Sequence, residues 1–159
     1  MKISFILNGR DIAKEVDPAA RLVDVLHEDF GITSLHPSCY EGHCGNCAIL
    51  FNDTLVHSCI IPTFAAANAS IHTYEGIIRS KEYHDIEEGY SEAEYTPCPF
   101  CLPSKTVITQ SILERSLDPT RQSILDSFSG SFCPCTNLDG LVMAIQAAAR
   151  YRRRRLNVF

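Results

Sequence analysis

Cys39-Tyr40-Glu41-Gly42-His43-Cys44-Gly45-Asn46-Cys47 sets three cysteines and two glycines in one short polar run, and Cys59 supplies a fourth thiol further on. No regular helix or strand accommodates this composition, so the run reads as a loop that the flanking elements must hold. Before it, Ile3, Phe5 and Leu7 alternate to one face, and Asn8-Gly9 is a strong two-residue turn signal. The chain then returns through Asp11–Val16 as a β-hairpin. Asp17-Pro18 reads as an N-cap with proline at the first helical position, and Leu22, Val25, Leu26 and Phe30 follow at helical spacing up to Gly31. After the loop, strand-like stretches are expected at 48–51, with the turn residues Asn52-Asp53 behind it, and at 70–74. Strand, turn, strand, helix and a returning strand make a β-grasp pattern.

The second half changes character. Residues 82–95 are acidic and read as a surface helix, Ile108, Ile112, Leu113 and Leu117 share one helical face, and Asp118-Pro119 repeats the cap-plus-proline start before Ile124, Leu125 and Phe128. A last helix is expected from Thr136, where Thr136-x-x-Asp139 resembles a capping box, and Leu138, Leu141, Val142, Ile145, Ala148 and Ala149 form its apolar face. The expected fold is therefore α+β, with an N-terminal β-grasp (plant-type ferredoxin-like) domain over 1–76 and a C-terminal four-helix bundle over 77–159.

The eight cysteines divide into Cys39, Cys44, Cys47, Cys59 and Cys98, Cys101, Cys133, Cys135, with none left over. Four thiolates are what one [2Fe–2S] cluster takes, and the C-x4-C-x2-C spacing of the first set is that of plant-type ferredoxins. A loop wrapping such an anion needs inward backbone N–H groups, and Gly42 and Gly45 offer positions free to take positive φ. In the second set each cysteine pair lies just before a helix, so two helix N-termini could face one anion. Pro97, Pro99, Pro103 and Pro134 around them would stiffen the loops and exclude water. A zinc site of four cysteines also uses C-x2-C pairs and stays open as an alternative. Disulfides are disfavoured, because no secretory signal is visible and a cytoplasmic location is expected.

The net charge of −5 gives no nucleic-acid signal, and no run of apolar residues is long enough to span a membrane. Arg150-Tyr151-Arg152-Arg153-Arg154-Arg155 reads as a solvated cationic helix end. The six histidines, His43 in the loop included, read as surface or packing residues. No paired carboxylates or glycine-rich phosphate loop suggest a catalytic residue.

Taken together in this order, the two sets resemble the iron–sulfur subunit of molybdenum hydroxylases, the xanthine dehydrogenase, aldehyde oxidoreductase and carbon monoxide dehydrogenase family. Gly31 to Cys47 is similar to the family's first cluster loop, and Cys98-x-Phe100-Cys101-x-Pro103 with Cys133-x-Cys135-Thr136 to its second. The resemblance implies two [2Fe–2S] clusters, a large partner subunit with a molybdenum–pterin cofactor, and a medium FAD subunit. It implies a non-catalytic subunit that relays electrons from the first partner to the second. A stand-alone two-cluster ferredoxin is the alternative reading. Relatives usually carry Gln where Pro97 stands, Gly at Pro99, Thr-Pro-Gly at Leu102-Pro103-Ser104, Arg at Pro134 and Gly-Tyr at Asn137-Leu138. Altered side-chain contacts to the molybdenum cofactor are therefore expected. In the first loop Ser38 and Ala48 replace the commoner Gly and Thr.

Overall fold

Alternating burial along the first strand, with Ile3, Phe5 and Leu7 inside and their neighbours outside, shows how the chain starts its core. The computed structural model describes residues 1–131 and 133–158. Strands β1 (Lys2–Leu7) and β2 (Arg10–Glu15) form an antiparallel hairpin in which Leu7 faces Arg10. Asn8 and Gly9 take φ of 51° and 78° between them, as the two-residue turn requires. Helix α1 (Leu22–Phe30) follows and ends where Gly31 adopts φ 64°, its N–H donating to His27 O. Then come β3 (Ala48–Phe51), β4 (Thr54–His57) and β5 (Ser70–His72). The five-stranded sheet runs β2-β1-β5-β3-β4, with β1 and β5 parallel and the other pairs antiparallel.

Among the described residues five further α-helices complete the mixed α+β fold: α2 (Tyr74–Ile77), α3 (Lys81–Glu92), α4 (Leu102–Arg115), α5 (Arg121–Ser127) and α6 (Leu138–Leu156). Among the described residues no helix is long and apolar enough to cross a membrane.

Strand β3 is buried on both faces, and its side chains divide between two apolar clusters. Ile49 joins Phe5, Leu22, Leu26 and Ile71 on the side of α1. Ala48 and Leu50 join Ile86, Ile108, Leu113 and Ile145 on the side of the later helices. A strand with period-2 side chains can serve two cores only in this way.

Several boundaries differ from the sequence reading, each for a tertiary reason. Asp17-Pro18 does not open α1. Asp17 Oδ1 accepts from Ala19 N, while Ala20 O accepts from both Thr63 N and Thr63 Oγ1, and Leu22 N donates to Ile61 O. Residues 17–21 are thus tied to the chain after Cys59, and helix geometry starts only at Leu22. Strand β4 was not expected, although positive φ at Asn52 and Asp53 makes a tight hairpin turn of the residues already read as a turn. The strand expected over 70–74 stops at His72, because the Thr73 amide and hydroxyl are both bonded to Asn8. Thr120, not Asp118, caps α5, and Asn137, not Thr136, caps α6 through Asp139 N and Gly140 N.

Helix α3 is not a surface helix on every side, although His84, Glu87 and Glu92 are exposed on one face. Asp85, Ile86, Gly89 and Tyr90 are buried, largely against α6. A Cβ on Gly89 would fall 2.3 Å from Ala148 N, so the two backbones approach more closely than any larger residue permits. Nor is the arginine run uniformly solvated. Arg152 is 3% exposed and donates to Asp85 Oδ2 at 2.9 Å, Gln110 Oε1 at 2.9 Å and Glu82 O at 2.8 Å. Arg155 adds a second guanidinium on Asp85 at 2.8 Å.

Burial alone would push the Asp85 carboxyl up, but hydrogen bonds from Arg155 and Arg152 outweigh it and hold the group below the ordinary carboxylate range. A depressed folded pKa gives stability that is present above the unfolded value of about 3.9 and is lost as pH falls through the folded one. Asp85→Asn leaves Arg152 buried without its counter-charge, for which a loss of about 3–5 kcal/mol is expected at pH 7. Denaturant titrations at pH 7 and below pH 4 check this. The gap between variant and parent should narrow at the acidic end.

Candidate metal centre

The first cysteine loop owes its shape to backbone conformations that few residues adopt. Tyr40, Gly42 and Gly45 have φ of 54°, 77° and 79°, and His36 N donating to Asn46 O closes the loop. As a result Glu41 N, His43 N and Cys44 N all point at Cys39 Sγ, each at 3.4 Å. This is the nest of inward amides that the glycine spacing called for. Those N–H groups, Glu41 first, pull the Cys39 thiol down to about 6. Burial resists ionisation of Cys44, but bonds from Ser38 and the Asn46 amide prevail and lower it.

The remaining pair of the first set sits at one end of the β3–β4 hairpin. Cys47 immediately precedes β3, and Ala48 pairs with His57. Ser58 donates both its N–H and its hydroxyl to Cys47 O, at 3.0 and 2.8 Å, which brings Cys59 beside Cys47. Both are buried, and burial with the neighbouring Cys59 thiol pushes Cys47 up to about 12. The set therefore consists of one pair on an amide-lined loop and one pair at the hairpin end. Pairing suits a two-iron cluster, which distributes four thiolates over two metals.

In the second set Cys101 stands at the N-terminus of α4, where Cys98 O accepts from Cys101 N and Leu102 N. Cys98, Cys101 and Cys133 bring their sulfurs within 4.8 Å of one another, the one such trio of ligating side chains among the described residues. Cys98 and Cys133 are 3.9 Å apart. Burial, reinforced by Cys133 and Cys98, pushes Cys101 up to about 12. Burial opposes ionisation of Cys133 too, but Thr136, Cys101, the Cys135 amide and the Lys105 charge bring it down to about 6. Cys135 is exposed, and its thiol is raised by the charges of Cys133 and Cys98. Each set thus contains a thiol lowered by its surroundings, Cys39 or Cys133, and a buried one raised by them, Cys47 or Cys101.

Two expectations about this second site need correcting. Pro97 and Pro103 are buried, but Pro99 and Pro134 are exposed, as is Cys135, so the prolines close only part of the site. Nor does α6 present a free N-terminus, because Asn137 already accepts from its first amides.

The structure also shows what spacing concealed: the two sets adjoin. Cys101 Sγ lies 3.9 Å from Asn46 Oδ1, and Asn46 is the residue before Cys47. The rings of His36 and Phe100 stack with centroids 4.6 Å apart. Gly45 sits so near the backbone leading to Cys133 that a Cβ would meet Gly130 O and Ser131 Cα at 2.7 Å. His43, by contrast, points outward toward Glu41 at 3.6 Å and brings only its amide to the loop. No sequence pattern singles out Asn46 or Lys105, while Phe100 enters only within the second motif and His36 only as a packing histidine.

Among the described residues all eight cysteines are free thiols, a donor set that a metal centre can use. The model of a [2Fe–2S] binding domain matches residues 73–146. The chain is 34% identical over 149 residues to the nicotinate dehydrogenase small FeS subunit of Eubacterium barkeri, covering 94% of this chain and 92% of that one. Its structure is similar to a chain of quinoline 2-oxidoreductase from Pseudomonas putida 86, with a TM-score of 0.87, 30% identity and coverage of 97% and 96%. Aldehyde oxidoreductase from Desulfovibrio desulfuricans ATCC 27774 matches at a TM-score of 0.87 and 31% identity, across 96% of this chain but 17% of that longer one. The chain belongs to the family of iron–sulfur subunits of molybdenum hydroxylases.

Gly45→Ala tests the contact between the two loops. It combines left-handed strain with a backbone clash, whereas Gly9→Ala at φ 78° meets nothing within 4 Å. Both changes should cost about 1–2 kcal/mol in strain. Only Gly45→Ala should also lower bound iron and visible absorbance. Equal iron in the two variants would contradict the proximity of the loops.

Proposed function

We propose that this chain is a two-cluster electron relay between a molybdenum–pterin subunit and an FAD subunit of a xanthine dehydrogenase-like hydroxylase. Cys39, Cys44, Cys47 and Cys59 would hold one [2Fe–2S] cluster, and Cys98, Cys101, Cys133 and Cys135 the other. When bound, each cluster supplies a one-electron redox centre. Residues 1–76 form the β-grasp, ferredoxin-like unit of this proposal and 77–159 the four-helix unit, acting in the cytoplasm.

One observation carries the reading: the two thiol sets meet through Asn46 and Cys101. A chain built only to stabilise its fold with metal has no need to bring two metal sites together. A relay does, because electron exchange falls steeply with distance. The residues divide the task accordingly. The 39–47 loop shields the first site with amides, the β3–β4 hairpin buries Cys47 and Cys59, and α4 fixes Cys98 and Cys101 against that hairpin. Exposed Cys135 and the half-exposed Leu138 leave the second site open on one side. That opening suits the molybdenum subunit. Pro97 and Pro134 replace side chains that relatives place there, so contact with the pterin would rest more on backbone and shape. No general acid or base is needed on this chain, since substrate would be bound on the partner.

Anaerobic purification of the native complex tests this. About four irons and four sulfides per chain, two distinct paramagnetic signals on reduction, and co-elution with molybdopterin and flavin chains are expected. A colourless zinc protein, a single cluster, or a stable lone monomer would each overturn it.

A further inference from the structure

Two buried cations lie in the helical part of the chain, and they are treated differently. Arg152 has the carboxylate of Asp85 at 2.9 Å. Lys105 is 2% exposed, yet among the described residues no carboxylate lies within ion-pair distance of it. Its ammonium donates to Thr136 Oγ1, a neutral group, and sits 5.9 Å from the centroid of the Tyr95 ring. A buried charge without a counter-charge is costly, and such groups ordinarily neutralise or find a partner.

The position of Lys105 identifies the partner. It lies one helical turn past Cys101, with Lys105 N donating to Cys101 O at 3.0 Å. Thr136, which its ammonium holds, follows Cys135 directly. Lys105 therefore links the two halves of the second cysteine set from within. The negative charge that this ammonium lacks is what four thiolates around a [2Fe–2S] cluster carry.

We propose that Lys105 is a fixed positive charge built into the second site, which compensates the cluster held by Cys98, Cys101, Cys133 and Cys135 and raises its reduction potential. The proposal rests on the two-cluster reading above. Reduction adds one negative charge to the site, so a nearby cation stabilises the reduced form more than the oxidised one. In a low-dielectric surrounding that difference is not screened away. Lys105 acts through the cluster's charge and is a positioning residue, not a catalytic one.

Reductive titration of the native complex followed by electron paramagnetic resonance tests this, with Lys105→Met and Lys105→Arg compared to the parent. The second-site signal is assigned by its loss in Cys101→Ser. Lys105→Met conserves volume and removes the charge, an exchange that buried sites often tolerate. It should lower the reduced-to-oxidised ratio of the second cluster about tenfold at a given potential, a downward shift of about 59 mV for a one-electron couple. The first cluster should stay where it was. Lys105→Arg, which keeps the charge, should leave the second cluster within about twofold of the parent. An unshifted second midpoint in Lys105→Met, or equal shifts at both clusters, overturns the proposal. Should Lys105→Met lose the second cluster's iron, full iron in Lys105→Arg supports the charge role and its loss there too overturns it. Failure of the two-cluster reading itself shows earlier, as fewer than about four irons or a single signal in the parent protein.

Discussion

Everything in this molecule follows from a strand that has no solvent face. Strand β3 puts Ile49 into one apolar cluster and Leu50 into the other, so sheet and helices cannot separate without exposing one of them. Cys47 directly precedes β3, and Cys101 directly precedes α4, which packs on β3. The starts of these two packed elements meet, since Asn46, just before Cys47, touches Cys101. The Asn46–Cys101 contact and the fit of Gly45 against Gly130 and Ser131 are consequences of that arrangement.

The sequence was most legible where local chemistry decides conformation. Ile3, Phe5 and Leu7 alternate and are buried as alternation predicts, Asn8-Gly9 turns the hairpin, and Gly31 ends α1 in the left-handed region. The thiol spacing pointed to the loop that the structure shows, down to amides aimed at Cys39. Legibility failed where distant partners compete for the same groups. Asp17-Pro18 has every feature of a helix start, but Ala20 is claimed by Thr63. The acidic stretch at 82–95 looks solvated until Arg152 is seen to need Asp85. No local pattern reveals a buried ion pair formed by residues in separate helices.

The same limit explains the site. Each cysteine set could be read alone, but their adjacency is a property of packing and has no spacing. Nothing local marks Asn46 as a contact between the sets, nor Phe100 as more than part of the second cysteine motif. Stacked on His36, Phe100 instead joins the loop of the second set to the approach of the first. The proline-rich shell looked like insulation, and it is so for Pro97 and Pro103. Around Cys135 the site stays open.

Two [2Fe–2S] clusters held by the Cys39 and Cys98 sets, as proposed, would lie close together across the Asn46–Cys101 contact. Low-temperature electron paramagnetic resonance of the fully reduced protein tests it most directly. Two reduced clusters so placed should show mutual magnetic coupling, seen as splitting or broadening that vanishes when only one is reduced. Two signals that keep the same line shape whether or not the other cluster is reduced would contradict it.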